Sequence, residues 1–225
     1  MTADPSALGE EELARLAVFP LPRVVLFPGA TLPLHLFEPR YRAMMEDCVR
    51  EGRVAMAVAM LAPGWEDDYE GRPPIHPIAG VGRIGEHRRR SDGRWDLILV
   101  GTLRARLTEL PAEGLAYRMA RAEPLADRIP HPDAVERLEH GVLATAASIA
   151  SLVRESHPEF ELGLDASMSA SALADRLADQ LVADPARRQA ILEATDVKVR
   201  LALVSDSLVE LLAQLRARGA GGALH

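Results

Sequence analysis

A chain of 225 residues is long enough to bury a sizeable core, in one large domain or two small ones. Its 48% hydrophobic content is that of an ordinary globular protein, and its net charge of −7 argues against a partner held through a phosphate backbone. No run of about 18 apolar residues is present, which excludes a membrane-spanning helix.

The N-terminal residues give no sign of export. Met-Thr-Ala-Asp-Pro lacks the basic region followed by an apolar one that marks a signal peptide. The single cysteine, Cys48, has no partner for an internal disulfide. Both features favour the cytoplasm. Residues 1–16 are rich in glutamate, and we expect them to form a flexible N-terminus or a short surface helix.

Two apolar runs follow between residues 19 and 41, separated by Pro28-Gly29. This dipeptide predicts a type II turn, since proline fixes φ at the first central position and glycine accepts a positive φ at the second. The second run alternates like a half-buried strand, with apolar positions at Leu32, Leu34 and Leu36. Because Pro33 has no amide donor, we expect this strand at a sheet edge or with a bulge.

A helix and a strand are predicted next. Pro39 to Arg50 has apolar residues at helical spacing, and Gly52 suits the stop. Cys48 falls on the apolar stripe, which predicts a small buried residue rather than a reactive or metal-bound thiol. Arg53 to Leu61 is apolar on both faces and predicts a central strand with small residues on one side.

Residues 62–77 form a loop rich in proline, glycine and acidic residues, with Trp65 and Tyr69 inside it. Large aromatic side chains in such a loop are binding anchors in one interpretation. In the other, they fold back and cover the edge of the sheet. The sequence leaves both interpretations open.

Two long strands, at 78–90 and 94–110, are predicted around Asp92-Gly93, a strong hairpin signal. Glycines scattered through them are typical of the bulges and bends that a small closed barrel needs. Three of them match a dinucleotide-binding spacing: Gly80, Gly82 and Gly85. The pattern continues as a strand rather than a helix, which excludes that site. A last strand is expected at 115–123.

The periodicity changes from strand to helix after a proline-rich linker at 124–132. Four helices with one apolar face each are predicted beyond it, and they should pack as a bundle. Asp184 followed by Pro185 marks the start of the third helix, and Thr195 or Asp196 that of the fourth. We expect the fourth helix to stop at Gly219.

Two separated parts of the chain resemble one known family. The motifs in the first part are Phe19-Pro20-Leu21, Val25-Leu26-Phe27-Pro28-Gly29, Leu32-Pro33-Leu34 and Phe37-Glu38-Pro39-Arg40-Tyr41. Those in the second are Leu173-Ala174-Asp175, Arg188 to Glu193 and Asp196 to Leu201. In this order and spacing the chain resembles the Lon N-terminal (substrate-binding) domain over about residues 18 to 215. The opening motif is most similar to the stand-alone bacterial form, which lacks the ATPase and peptidase domains.

The resemblance implies an α+β fold, a PUA-like small β-barrel followed by a C-terminal helical bundle. It also implies a division of the chain into parts. The expected parts are a flexible N-terminus at 1–16, the barrel at 17–124, the helical bundle at 132–218 and a disordered tail at 219–225.

The catalytic groups of a complete Lon protease are missing. No Gly-Lys pair exists for the phosphate-binding pattern Gly-x-x-x-x-Gly-Lys-Ser/Thr. A Ser-Lys dyad needs a lysine buried beside a serine, and the only lysine, Lys198, falls within the fourth helix. The seven histidines show no metal-like spacing. We therefore predict no catalytic residues, no metal and no cofactor, although similarity alone suggests an ATP-dependent peptidase.

By resemblance, the predicted function is non-catalytic binding of exposed apolar segments of unfolded or tagged proteins. The candidate contacts, chosen by residue type, are Phe37, Tyr41, Trp65, Tyr69 and Trp95, with Arg88, Arg89 and Arg90 at a rim. One alternative is an adaptor that docks on a partner protease through its helical half. Another, disfavoured by the charge balance, is an RNA-binding barrel. The oligomeric state is left open.

Overall fold

The computed structural model describes residues 8–69, 71–111 and 114–221. The chain divides into two compact units, Met1–Leu125 and Ala126–His225. Strands lie in the first unit and four helices in the second, which confirms the α+β class. Within the described ranges, no helix combines the length and the apolar character needed to cross a membrane.

In its described residues, the first unit contains six strands and two helices in the order α1, β1, β2, α2, β3, β4, β5, β6. The bounds are α1 (Glu10–Ala14), β1 (Leu16–Leu21), β2 (Thr31–Leu36), α2 (Pro39–Arg50), β3 (Ala55–Met60), β4 (Ile78–Arg89), β5 (Trp95–Glu109) and β6 (Arg118–Pro124). A single 3-10 turn, Trp65–Asp68, interrupts the loop between β3 and β4.

The six strands pair in the order β2-β5-β4-β3-β1-β6, and β6 also pairs with β5. Strands β1 and β3 are parallel, and every other pairing is antiparallel. A parallel pair needs a crossover connection, and here β2 and α2 lie in it. Strand β2 is an edge strand that pairs with β5, and Pro33 stands opposite Ile98. The edge position predicted from Pro33 is confirmed.

One face of the strands packs around small residues. The buried cluster contains the alanines Ala55, Ala57, Ala59, Ala79, Ala105, Ala120 and Ala122. All six residues of β3 are buried, as expected for a central strand with one small-residue side. Helix α2 buries Tyr41, Met44, Met45 and Cys48. Burial also raises the pKa of the Cys48 thiol to about 11, so this cysteine behaves as a core residue.

Residues 25–27 cross directly over the strands, and glycines make room for them. A Cβ atom on Gly80 would overlap the carbonyl oxygen of Leu26, and one on Gly101 would overlap that of Phe27. The amide of Gly29 donates to the Gly101 carbonyl at 2.8 Å, and the Gly101 amide donates to Ala30 at 2.8 Å. Close backbone approach requires Gly80 and Gly101. The bulges that the sequence predicted lie near other glycines of β4, where the pairing with β5 shifts register between Val81 and Gly82 and between Ile84 and His87.

The turns predicted from short sequence motifs form as expected. Gly29 has φ 77°, and the Ala30 amide donates to the Phe27 carbonyl at 3.1 Å, which closes the Pro28-Gly29 turn. Gly93 has φ 82° at the tip of the β4–β5 hairpin. The apolar run Val25–Phe27 is buried but does not form a strand, because it makes the crossing described above.

The expected ends of the chain need correction. Helix α1 and the start of β1 lie within residues 8–16, and Leu13 and Leu16 are buried. The short helix expected as the alternative to a flexible N-terminus is therefore present at Glu10–Ala14, and residues 8–16 do not form a flexible segment, because Leu13 and Leu16 are buried. The last helix continues past the expected stop at Gly219 to Gly221. Residues 1–7 and 222–225 lie outside the described residues.

The second unit consists of α3 (Pro132–Arg154), α4 (Ala170–Leu181), α5 (Pro185–Glu193) and α6 (Val197–Gly221). Asp184 caps α5 by accepting the Arg187 amide at 2.8 Å, as predicted. Asp196 caps α6 by accepting the Lys198 amide at 2.9 Å. The apolar stripe of α6 is fully buried at Val197, Leu201, Val204 and Leu208.

A buried arginine ties these helices together. Arg200 on α6 has no exposed surface. It donates to the Ala194 carbonyl at 2.7 and 2.9 Å and to the Ser171 hydroxyl at 2.7 Å. Its charge is paired with Asp127 and lies 3.6 Å from Asp175. A buried charge is tolerated only with such pairing, so Arg200 fixes α6 against α4 and the segment before α3.

The close approach of residues 25–27 to Gly101 predicts that one added methyl group at this glycine strongly lowers the free energy of unfolding. Gly101→Ala should destabilise the first unit by about 3 kcal/mol, because the new Cβ displaces the Phe27 backbone. Gly85→Ala is the matched control in an adjacent strand, since its Cβ would meet only the Ile98 carbonyl at 3.2 Å, and a loss of about 1 kcal/mol at most is expected. Urea unfolding followed by tryptophan fluorescence measures both, because Trp65 and Trp95 are the two tryptophans and both lie in this unit. Equal urea midpoints for the two variants would contradict the requirement for glycine where residues 25–27 cross the strands.

Candidate functional site

An exposed phenylalanine marks the junction between the edge strand and the first long helix. Phe37 follows β2 directly and is 58% exposed. Its ring stacks beside that of His35, with ring centroids 6.3 Å apart. An open groove at this point is lined by Phe37, Glu38, Pro39, Arg40 and Tyr69, and we call it the Phe37 groove. Phe37 is thus an exposed aromatic ring at the edge of an open groove.

Arg40, in the first turn of α2, organises the aromatic side chains beside this groove. Its guanidinium bonds Glu38 at 2.9 Å and lies over the rings of Tyr41 and Tyr69, 4.7 and 5.3 Å from their centroids. The Tyr69 hydroxyl donates to Glu38 at 3.3 Å. Trp65 meets Tyr69 edge to face at 5.7 Å. The loop at 62–77 thus folds back onto α2, while both of its rings remain partly exposed.

A small cavity of about 90 Å³ lies next to the Phe37 groove and shares Arg40 and Tyr69 with it. We call it the tyrosine cavity. It is lined by Pro20, Arg40, Tyr41, Leu61, Tyr69, Gly71, Arg72, Pro73, Leu115, Ala116, Tyr117 and Arg118. Sequence reasoning missed it because these residues come from distant parts of the chain, and no local pattern brings them together.

Hydrogen bonds to neighbouring residues fix two of the side chains that line the tyrosine cavity. Arg118 is only 6% exposed, and it donates to Glu109 at 3.0 Å and to the Pro73 carbonyl at 2.5 Å. The Tyr117 hydroxyl donates to Asp47 at 2.8 Å. Burial raises the pKa of Tyr117 to about 12, so its hydroxyl stays protonated at neutral pH.

The arginine cluster at the hairpin tip is largely neutralised. Arg90 bonds Asp96 at 2.6 Å, Arg88 lies 3.6 Å from the same carboxylate, and Arg89 bonds Glu46 at 2.8 Å. All three arginines remain exposed. The hydrogen bonds from Arg90 and His35 lower the pKa of Asp96 to about 2. The cluster is therefore part of a surface ion-pair network rather than an open basic patch.

Trp95 does not lie on the surface. Only 7% of it is exposed, because alternation along β5 turns Trp95, Leu97 and Leu99 to the buried face. Its ring packs beside His87, with centroids 6.1 Å apart. The structure places Trp95 in the core rather than on the surface, which its residue type did not indicate.

The described residues bring together no constellation for catalysis by metal. In the parts of the chain that the structure covers, no three His, Cys, Asp or Glu side chains gather where an ion could bind. The single lysine, Lys198, is exposed in the first turn of α6. The concave features at the first turn of α2 are the Phe37 groove and the tyrosine cavity beside it.

Comparison with protein families identifies a match over most of the chain. The family model described as the ATP-dependent protease La (LON) substrate-binding domain matches residues 15–210. The chain is 32% identical to the Lon protease of Paraburkholderia phytofirmans, over 96% of this chain and 26% of that protein. It is 30% identical to the Lon protease of Methylocella silvestris, over 96% and 27%. The chain thus spans about a quarter of the length of these relatives.

Solved structures show the same fold. A Lon N-terminal domain protein from Xanthomonas campestris matches with a TM-score of 0.55 and 25% identity, over 84% of this chain and 95% of that one. The N-terminal domain of the Mycobacterium avium complex Lon protease matches with a TM-score of 0.67 over 87% and 98%. At 18% identity, the second likeness concerns the fold alone. The resemblance inferred from the sequence motifs is confirmed.

The Asp96 network predicts a defined dependence of stability on pH. The pKa of Asp96 is about 2 in the folded chain and about 3.9 in an unfolded one, so its contribution is complete above pH 4 and is lost as the pH falls through 2. Asp96→Asn should therefore lower the urea midpoint at pH 7, and the difference from the parent chain should shrink between pH 4 and pH 2. Asp67→Asn, at an exposed carboxylate outside this network, is the control. A difference that stays constant down to pH 2 would contradict the assignment.

Proposed function

The chain belongs to the ATP-dependent protease La (LON) substrate-binding domain family, and on this premise we propose that it is a non-catalytic module that binds exposed apolar segments of other proteins. The observation that carries the proposal is Phe37, a large apolar side chain held 58% exposed beside a groove. Exposed apolar surface of this kind is typical of binding sites for apolar segments.

A free strand edge supports the same proposal. Among the described strands, β2 pairs with β5 alone, so its outer edge leaves backbone groups for an added strand. Phe37 lies at the end of that edge. An extended segment paired along β2 would place its side chains beside Phe37, and backbone pairing would make recognition tolerant of sequence. Pro33 limits this pairing, since it offers no donor.

We place the contact surface on Phe37, Trp65 and Tyr69, with Tyr41 reached only through the tyrosine cavity. The first three are exposed or partly exposed and lie around the first turn of α2. Arg88, Arg89 and Arg90 are left at an outer rim, because neighbouring carboxylates already pair with them.

The domain organisation proposed for this module is a PUA-like barrel at 17–124 and a helical bundle at 132–218. The pairing pattern supports the barrel, because β6 bonds both β1 and β5 and so closes a ring of β5, β4, β3, β1 and β6. The separation of the chain into units near Leu125 supports the boundary. A cytoplasmic location belongs to the same proposal.

The absence of peptidase activity is also proposed. The family match covers the substrate-binding domain, and the chain aligns with about a quarter of each protease relative. The sequence holds no Gly-Lys pair for a nucleotide and a single, exposed lysine. A separate protease that receives the bound segment is the corresponding partner, and affinity capture with the intact chain would identify one by its ATPase and peptidase domains.

Binding of an unfolded protein tests the function. We expect the purified chain to bind reduced, carboxymethylated lactalbumin without ATP and to leave it uncleaved. Phe37→Ser should weaken this binding about tenfold, since exposed aromatic anchors carry much of the energy of such contacts. Val209→Ser is the control, because Val209 is a similarly exposed apolar residue (56%) on α6 of the second unit. Fluorescence anisotropy of labelled lactalbumin measures affinity. Equal affinity for both variants would remove Phe37 from the site, and no binding to the parent chain would refute the function.

A further inference from the structure

The tyrosine cavity brings together an unusual set of side chains. The chain has three tyrosines, and all three line the cavity: Tyr41, Tyr69 and Tyr117. Three arginines line it as well: Arg40, Arg72 and Arg118. None of the described lining residues is acidic. The carboxylates that pair with two of these arginines, Glu38 and Glu109, lie outside the lining.

The hydroxyl of Tyr41 is a polar group of the cavity that has no hydrogen-bond partner among the described residues. The residue is 5% exposed, and its hydroxyl makes no hydrogen bond with any described residue. Tyr69 and Tyr117 differ, since their hydroxyls donate to Glu38 and Asp47. Burial raises the pKa of Tyr41 to about 12, so the hydroxyl remains a neutral donor at physiological pH. The hydroxyl is therefore available to donate a hydrogen bond to a ligand that carries an acceptor group.

The guanidinium groups also keep donors for a ligand. Each carries five N–H donors in a planar fork. Arg118 uses its contacts with Glu109 and Pro73, and Arg40 uses its contacts with Glu38 and Tyr69. Arg72 is exposed at the cavity. Several such donors suit an anionic acceptor, a carboxylate or a phosphate, and the apolar part of the cavity wall favours a carboxylate carried on an apolar residue.

The size of the tyrosine cavity and the residues around it favour the end of a bound protein segment over its middle. A cavity of about 90 Å³ has room for a small terminal group. Its remaining wall is apolar, formed by Pro20, Leu61, Pro73 and Leu115. It shares Arg40 and Tyr69 with the Phe37 groove, which therefore lies directly beside it.

We propose that the tyrosine cavity binds the C-terminal carboxylate of a protein segment whose last side chain is apolar, while the preceding residues lie in the Phe37 groove. This inference rests on the proposed function and narrows it from apolar segments in general to segments that carry a free C-terminus. In this arrangement the Tyr41 hydroxyl and the arginine donors contact the carboxylate, and the apolar wall contacts the last side chain.

A matched pair of peptides tests the inference with the full chain. A short fluorescein-labelled peptide of serine, glycine and leucine that ends in leucine is made as the free acid and as the C-terminal amide. The acid should bind about tenfold more tightly by anisotropy, because the amide loses charge-assisted hydrogen bonds. A third peptide, an amide that ends in aspartate, separates the sources of the carboxylate. If it binds as well as the free acid, recognition of a chain end is refuted.

Two variants localise the effect. Tyr41→Phe and Arg72→Gln should each reduce the advantage of the acid over the amide, and Arg121→Gln, which removes an exposed arginine outside the cavity, should leave it unchanged. Tyr41→Phe should also keep the urea midpoint of the parent chain, because the lost hydroxyl has no hydrogen bond among the described residues. An unaltered acid preference in Tyr41→Phe and Arg72→Gln would overturn the site.

The outcomes separate this inference from the proposed function. If the free acid and the amide bind equally and Phe37→Ser weakens the binding of both, the chain binds apolar segments whether or not they carry a free C-terminus. This outcome refutes the further inference and leaves the proposed function intact. If neither peptide binds while unfolded lactalbumin does, the inference also falls. If lactalbumin is not bound either, both fail together.

Discussion

The close approach of the segment at 25–27 to the strands is the constraint on which the first unit depends. The carbonyl groups of Leu26 and Phe27 lie where Cβ atoms of Gly80 and Gly101 would otherwise be. Paired hydrogen bonds between Gly101 and the turn at Gly29 and Ala30 hold this crossing in register. The crossing delivers the chain to the outer side of β5, so β2 becomes an edge strand. Without it, neither the free edge nor the exposed Phe37 would have its place.

The start of α2 converts this edge into a site. The helix begins two residues after Phe37, and Arg40 in its first turn contacts Glu38, Tyr41 and Tyr69. One guanidinium thereby fixes the aromatic loop against the helix and forms part of the wall of both the Phe37 groove and the tyrosine cavity. A rigid helix terminus positions these groups better than the loop could by itself, since loops are held by the elements on which they pack.

Local chemistry made much of the fold predictable. The Pro28-Gly29 turn, the hairpin at Gly93 and the cap at Asp184 each depend on residues adjacent in sequence, and each forms as expected. What could not be predicted depends on residues far apart. The buried charge of Arg200 needs Asp127, on a segment 73 positions away. Residue type also misled at Trp95, where alternation with Leu97 and Leu99 was the better indicator of burial. The tyrosine cavity has no sequence signature, because its residues meet only in the folded unit.

The adjacency of groove and cavity bears on how such a module discriminates among unfolded segments. An exposed ring such as Phe37 contacts any apolar side chain, so by itself it confers affinity with little selectivity. If the small cavity that shares Arg40 and Tyr69 with the groove binds a chain end as proposed, it adds a requirement that internal segments do not meet. Because both surfaces would engage one ligand, the second contact forms at a high effective concentration once the first is made. Weak contacts at two connected subsites can therefore give selective binding without a deep pocket, a metal or a nucleotide, which is consistent with a protein whose proposed role ends at recognition.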